Sequence, residues 1–461
     1  MASCLSSHFV IFPFMSKGHT IPLLHLTRLL SLRNIAITIF TTPSNSPFIH
    51  HTLTGSNNIS VIELPFPEKI TGLPHGVENT DQLPSMSLFI PFAKATILLQ
   101  AHFEQILETL LPVTCMISDG FLGWTLESAS KFGIPRLVSY GMTSYAMVVN
   151  RALRQEYPGI NVNHIDKPLA LKSFPWIKIA KNDLVQEEVI QVGNPSYEFA
   201  IEQGKATSNS WGILFNTFYE LESTYVDYWN SEYKPKAWCL GPLCLADPPR
   251  VQPFQKPLWM QWLDSRKGLE KQSVLYVAFG SQANVPPEQL KEIAIGLEGS
   301  KVNFLWVVRS KEMIFDDGFC ERVKDTGLVV REWVNQTEVL GHESVQGFLS
   351  HCGWNSVLES ICAMVPILAW PMMAEQFINA KMVEELGIGL RMQPTENTGA
   401  RTLVKSEKVE KMVRKLMLGD EGKQAQKKVK NIGESAKRAM GEGGSSKGAL
   451  DMLIDEVCRK R

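Results

Sequence analysis

Between Trp333 and Gln376 the chain reads WVNQTEVLGHESVQGFLSHCGWNSVLESICAMVPILAWPMMAEQ, and this stretch limits the possible folds more than any other. Val345 to Leu349 is a short apolar run that suits a buried strand. His351, Cys352, Gly353 and Trp354 follow, and Asn355 to Met364 has a helical register. A second apolar run, Ile367 to Trp370, stops at Pro371, and a new helix opens near Ala374. Strand, loop, helix, strand, loop, helix is the order of a parallel sheet with crossover helices. In such a unit the ligand rim is formed by the loops at the carboxyl ends of the strands. His351, Trp354, Asn355, Ser356, Glu375 and Gln376 fall there. The free amides at the start of the Asn355 helix, together with its dipole, favour an anion, for which a phosphate is the natural guest.

The same alternation recurs elsewhere. His8 to Phe14 reads as a buried strand, followed by MSKGHT and a helix to about Leu32 with Pro22 in its first turn. Ile35 to Phe40 and Val113 to Ile117 read as further strands, with Leu122 to Phe132 helical, and Trp211 to Asn216 as the last strand of a first domain. A proline-rich run with Pro242, Pro248, Pro249, Pro253 and Pro257 reads as a linker. The pattern then restarts with a strand at Val274 to Phe279, a rim at Gly280 and Ser281, a helix from Pro286 to Gly299, and strands at Asn303 to Val308 and Leu328 to Val330. At 461 residues the chain exceeds what one core supports. The expected division is an α/β domain over 1–241, a linker over 242–257, and a second over 258–445. Leu450, Leu453, Ile454 and Val457 form an apolar helical stripe in the tail.

A formal net charge of -1 gives no electrostatic reason to expect nucleic acid or an anionic membrane as partner. The longest apolar runs, such as Phe9 to Met15 and Ile361 to Met373, are broken by proline and fall short of the roughly 20 residues that span a bilayer. The start, MASCLSS, lacks a basic n-region. Eight scattered cysteines with no CxxC pair suit reduced thiols better than a disulfide framework or a zinc site. A cytoplasmic monomer that binds small molecules is expected.

The Trp333–Gln376 stretch, with HCGWNS and WPxxxEQ in register, closely resembles the signature box of plant family 1 UDP-sugar-dependent glycosyltransferases. The resemblance implies a GT-B fold: two facing Rossmann-like, doubly wound α/β domains with an interdomain cleft, and a last helix, about 446–461, packing back on the first domain. It also implies that Trp333 stacks on uracil, that Gln336 binds near base and ribose, and that Glu359 accepts from the ribose hydroxyls. His351, Asn355 and Ser356 would hold the diphosphate, Trp354, Glu375 and Gln376 would touch the sugar, and Ser281, Val334 and Gly353 complete the donor set. Gln376 and Trp354 resemble the glucose users. Asn335 stands where Pro is usual, Glu375 where Asp is common, and Met364 where Gly often ends a helix at positive φ; there a local backbone adjustment is expected.

His19 and Asp119 follow two strands of one sheet and so share a rim, although a hundred positions separate them. Their contexts, Gly18-His19 with Pro22 and SDGFLGWT, match the family's catalytic positions. Phenols have pKa values of about 10, so a base is needed at neutral pH. The imidazole of His19 would take the proton, Asp119 would stabilise the imidazolium, and one displacement at the sugar C1 would invert its configuration. No Asp-x-Asp metal clamp is present, and no cofactor beyond the UDP-glucose co-substrate is expected. Phe14, Met15, Met86, Phe89, Phe92, Tyr140, Met142 and Tyr145 are plausible acceptor liners, which implies a flat or greasy acceptor. Flavonoids and other phenols lead; triterpenoid, sterol or hormone acceptors and attack from ring carbon stay open.

Two other classes fit less well. A nicotinamide-dependent oxidoreductase would carry GxGxxG after the first strand, where MSKGHT stands. A catalytically silent binder would lack the base or the phosphate ligands, whereas His19, Asp119, Ser281 and His351 are all present.

Overall fold

Side chains in a strand alternate between faces, and the first strand, β1 (His8–Phe12), uses both: Phe9 and Ile11 enter one apolar layer, Val10 and Phe12 the other. A strand buried on both faces belongs at the middle of a helix-covered parallel sheet. The computed structural model describes residues 7–55, 58–160, 165, 167–184, 192–246, 256–267, 273–308, 318–393 and 403–459. Within them β2 (Ala36–Thr41), β3 (Ile59–Glu63), β4 (Cys115–Asp119) and β5 (Arg136–Ser139) join β1. A short antiparallel pair, β6 (Leu169–Ala170) and β7 (Lys178–Ile179), stands apart, and β8 (Gly212–Phe215) and β9 (Lys236–Cys239) complete the first sheet. Its order is β3-β2-β1-β4-β5-β8-β9, with every pairing parallel. The strand at Trp211–Asn216 is therefore not the last of this sheet. β9 closes the edge, its Trp238 and Cys239 too few to mark a strand by pattern.

The second sheet contains β10 (Val274–Ala278), β11 (Asn303–Val307), β12 (Gly327–Val330), β13 (Val345–Ser350), β14 (Ile367–Ala369) and β15 (Gly389–Arg391). Its order, β12-β11-β10-β13-β14-β15, is again parallel throughout. In both sheets the order reverses beside the first strand, between β1 and β4 and between β10 and β13. Crevices at such reversals are where ligands bind in open α/β sheets.

The two sheets are bound by a shared apolar layer. Val138, Tyr145, Val149 and Phe215 from the first join Trp354, Leu358, Ile361 and Met382 from the second in one buried cluster. The last helix, Ser445–Arg459, buries Leu450, Leu453, Ile454 and Val457 against Phe9, Ile37 and Trp238 of the first sheet. Lys236 and Arg33 anchor it through Glu456 and Asp451, both at 2.7 Å. Of the proline-rich linker, residues 247–255 lie outside the described residues.

Met86–Thr109 forms one helical run of 24 residues, longer than the apolar runs read from the sequence, with an 18-residue stretch of mean hydropathy 1.2. Its length and composition alone would let it cross a membrane. Here Phe92, Leu99, Phe103 and Leu107 line up at helical spacing and fill the core above β1 and β2.

Candidate active site

The loop after β1 is short because the next helix, Lys17–Ser31, starts at once, and His19 lies in its first turn. It is thus helical from the outset, where a loop residue had been expected. β4 ends on Asp119, one strand away. The two side chains meet: His19 Nδ1 and Asp119 Oδ2 are 2.7 Å apart. Asp119 is 1% exposed, and its second oxygen accepts the Phe121 amide at 2.9 Å. With both carboxylate oxygens engaged, the carboxylate fixes the tautomer: Nδ1 carries the proton and Nε2 keeps its lone pair. Nε2 faces Gly141, where a side chain would begin 3.3 Å away. Burial pulls the His19 pKa down, but the Asp119 charge and hydrogen bond, with Glu375 behind them, leave it raised above 6.5.

Aromatic rings enclose that imidazole. Phe121 packs at 5.0 Å between ring centroids and Phe14 at 5.7 Å, with Phe89 edge-on to both phenylalanines. Phe199 and Tyr140 stand behind Phe121. Of the liners read from the sequence, Met86, Phe89 and Met142 are half-buried. Phe14, Met15 and Phe92 are fully buried and support the wall without forming its surface. Tyr140 bonds to Thr207 Oγ1 at 2.7 Å, beneath the Asp119 loop. Tyr145 is core, its hydroxyl donating to Glu385 of the second domain at 3.2 Å. Phe121 was missed; its position two residues after Asp119, on the same rim, was the available signal.

The donor side is built by the helix Trp354–Ala363, which starts directly from the β13 loop with Gly353 as N-cap. Its first amides point at the crevice between β10 and β13. His351 lies between two glycines: a Cβ at either Gly280 or Gly353 would stand 2.6 Å from His351 Nε2. Gly280 also has φ +76°, so no other residue suits it. Burial lowers the His351 pKa to about 4, and its buried Nδ1 has no hydrogen-bond partner among the described residues. An uncharged ring with an unused polar atom between two gaps suits a diphosphate. Gln336 Nε2 donates to Ser356 Oγ at 2.8 Å and Glu359 Oε2 at 2.6 Å, tying three of the expected ligands together. Trp333 is 56% exposed, free to stack. Ser281 follows Gly280 in the β10 rim, and Glu375 is half-buried just before the helix Gln376–Leu386. Gln376 Oε1 accepts the Met372 and Met373 amides at 2.9 and 3.0 Å, so its amino end is left to donate.

Two expected donor side chains point elsewhere. Trp354 is 2% exposed and its indole donates to Asn216 O at 2.7 Å across the domain seam, so only its backbone can reach a sugar. Val334 belongs to the core beside Tyr276 and Leu340. Asn335, in place of proline, caps the helix Gln336–Leu340 through Thr337 N and Oγ1. Met364 does not reshape the backbone; it adopts the left-handed conformation itself, φ 60° and ψ 36°.

The two rims face each other. Asn355 Nδ2 donates to Gly18 O at 2.7 Å, next to His19. Gln282, unforeseen from the sequence, donates to Ser16 Oγ at 2.8 Å and Thr80 Oγ1 at 2.6 Å.

Residues 6–245 match the glycosyltransferase N-terminal domain family, and residues 252–417 the UDP-glucoronosyl and UDP-glucosyl transferase family. UDP-glycosyltransferase 90A1 of Arabidopsis thaliana is 52% identical over 466 residues, spanning 98% of this chain and 97% of its own. The chain belongs to the UDP-glycosyltransferase family. This glycosyltransferase also shares its GT-B fold with solved relatives. The structure of Phytolacca americana UGT2 complexed with UDP-2-fluoro-glucose and pterostilbene has a TM-score of 0.84 at 30% identity, over 98% of this chain and 100% of that one. That of Glycyrrhiza uralensis UGT73P12 complexed with glycyrrhetinic acid 3-O-monoglucuronide has a TM-score of 0.86 at 30% identity, over 98% and 96%. The glycosyltransferase is thus an enzyme that uses a UDP-sugar and a small-molecule acceptor.

Proposed function

We propose that this glycosyltransferase transfers glucose from UDP-glucose, with inversion, to a hydroxyl of a small aromatic acceptor such as a flavonoid or another phenol. The observation that carries the reading is the His19–Asp119 pair, aimed from one domain at the donor rim of the other. Nε2 of His19 removes the acceptor proton as the oxygen attacks C1. Asp119 holds the imidazolium that forms. Negative charge on the departing UDP is met by the His351 ring and by the amides at the start of the Trp354–Ala363 helix. Trp333 stacks on uracil, Gln336 and Glu359 take the ribose side, and Glu375 and the amino end of Gln376 bind sugar hydroxyls. The relative complexed with UDP-2-fluoro-glucose supports glucose as the donor, and the half-buried rings of Phe89 and Phe121, backed by Phe14, support a flat acceptor.

UDP release with a panel of sugar donors and phenols, the products weighed by mass spectrometry, tests the reading. UDP-glucose with a phenol should lead the panel; a different sugar ranking well ahead would overturn the donor assignment. His19→Ala should lower transfer about 10²- to 10⁴-fold while UDP still binds by calorimetry. Near wild-type turnover in that variant would remove His19 as the base.

A further inference from the structure

Beneath the His19–Asp119 pair lies a cation that the reaction does not use. Arg136 opens β5 and is 2% exposed. Nε donates to Ser118 Oγ at 2.8 Å and Thr125 Oγ1 at 3.0 Å, and Nη1 to Ser210 Oγ at 2.7 Å. Nη2 reaches the carbonyls of Asp119 at 3.3 Å and Leu122 at 3.5 Å, the two ends of the turn that follows β4. All five acceptors are neutral oxygens. A guanidinium taken out of water without a directly bonded carboxylate is costly, and neutral side chains could brace the same turn. The charge itself therefore needs an explanation, and the nearby carboxylate is that of Asp119, whose attraction works against the burial that depresses Arg136 to about 10.

The groups around His19 show what that charge offsets. Asp119 from the β4 rim and Glu375 from the second domain both draw a proton onto the imidazole. Tyr140, behind Phe121, is held neutral by burial, with its pKa pushed up to about 12. Lys17, two positions earlier on the same helix, faces Asp81 at 3.6 Å. Resting on the assignment of His19 as base, we propose that Arg136 is the counter-charge of the His19–Asp119 pair. From beneath the turn that carries Asp119 it limits the proton affinity of His19, so that the imidazole is free when an acceptor arrives. Arg136 acts through Asp119 and touches no substrate, which makes it a positioning residue.

Titration of the full-length protein with isotope-labelled histidine, the His19 signal being assigned by its loss in His19→Gln, reads this without any acceptor. Arg136→Met and Arg136→Gln should raise the proton affinity of His19 on the order of tenfold, the sign expected when a nearby cation is removed. Arg136→Lys, which keeps the charge, should restore the wild-type midpoint. A purely structural arginine would cost thermal stability in the neutral variants and leave the midpoint unmoved; an unmoved or lowered midpoint in folded protein overturns the proposal. Should both neutral variants fail to fold, Ser210→Asp decides: its carboxylate against Nη1 cancels part of the charge and must also raise the midpoint. Full turnover in His19→Ala would sink the base assignment and leave the titration result standing, so the two failures are distinguishable.

Discussion

His19 acts in the proposed reaction only while its ring is neutral, and its surroundings work against that state. Asp119 and Glu375 raise its pKa above 6.5 despite burial, whereas His351, buried without a charged partner, falls to about 4. A base is lost as pH falls through its own pKa. The acid limb of kcat/KM should therefore lie above pH 6.5, and His351 should stay neutral across the working range. A pH profile with its limb near 4 would shift the assignment to His351. That His19 and Asp119 share a rim was legible from the strand order, and their pairing from the family resemblance; the choice of ring nitrogen was not. Only the 2.7 Å contact from Nδ1 to Asp119 shows that Nε2 is the nitrogen left with a lone pair.

At the scale of elements, the departures from the family pattern are absorbed locally. Asn335 replaces a proline's stiffness with a side-chain cap, so the helix Gln336–Leu340 still presents Gln336 to Ser356 and Glu359. Met364 ends the helix Trp354–Ala363 in the left-handed region, where an L side chain costs about 1–2 kcal/mol. Met364→Gly should accordingly be more stable than Met364→Ala by about 1 kcal/mol, the reverse of the usual helix preference, as read by denaturant unfolding. Ala equal to or better than Gly would mean that the left-handed turn is not strained. Apolar runs revealed β1, β2, β4, β8 and β10 to β14, whereas β3, β5, β9 and β15, three to five residues each and each carrying a charged end residue, were missed. No helix was read over Met86–Thr109 from the sequence; only the structure shows Phe92, Leu99, Phe103 and Leu107 lining one face of it.

The molecule as a whole depends on a seam far from the chemistry as well as on the cleft. Arg391 of β15 pairs with Asp183 of the first domain, both about 5–6% exposed at the side chain, and Arg391 Nη2 also donates to Asn182 O at 2.8 Å. Lys381 lies 3.9 Å from the same carboxylate. Asp183→Asn leaves Arg391 without its carboxylate, while Lys381 keeps Glu385 at 3.1 Å, so urea unfolding should show a loss of about 3–5 kcal/mol. A loss under about 1 kcal/mol would mean that water already screens the seam.

Sequence alone determined the two parallel sheets and the residue types on their rims, because strand and helix periods and rim chemistry are local properties written along the chain. Tertiary structure decided which of those residues face the cleft between the domains. Trp354 and Tyr145 turn into the seam, while Gln282 and Asn355 reach across it to Ser16 and Gly18, beside His19. Whether an aromatic ring packs or lines a cleft depends on what the other domain brings against it, and that partner lies more than a hundred residues away in the chain.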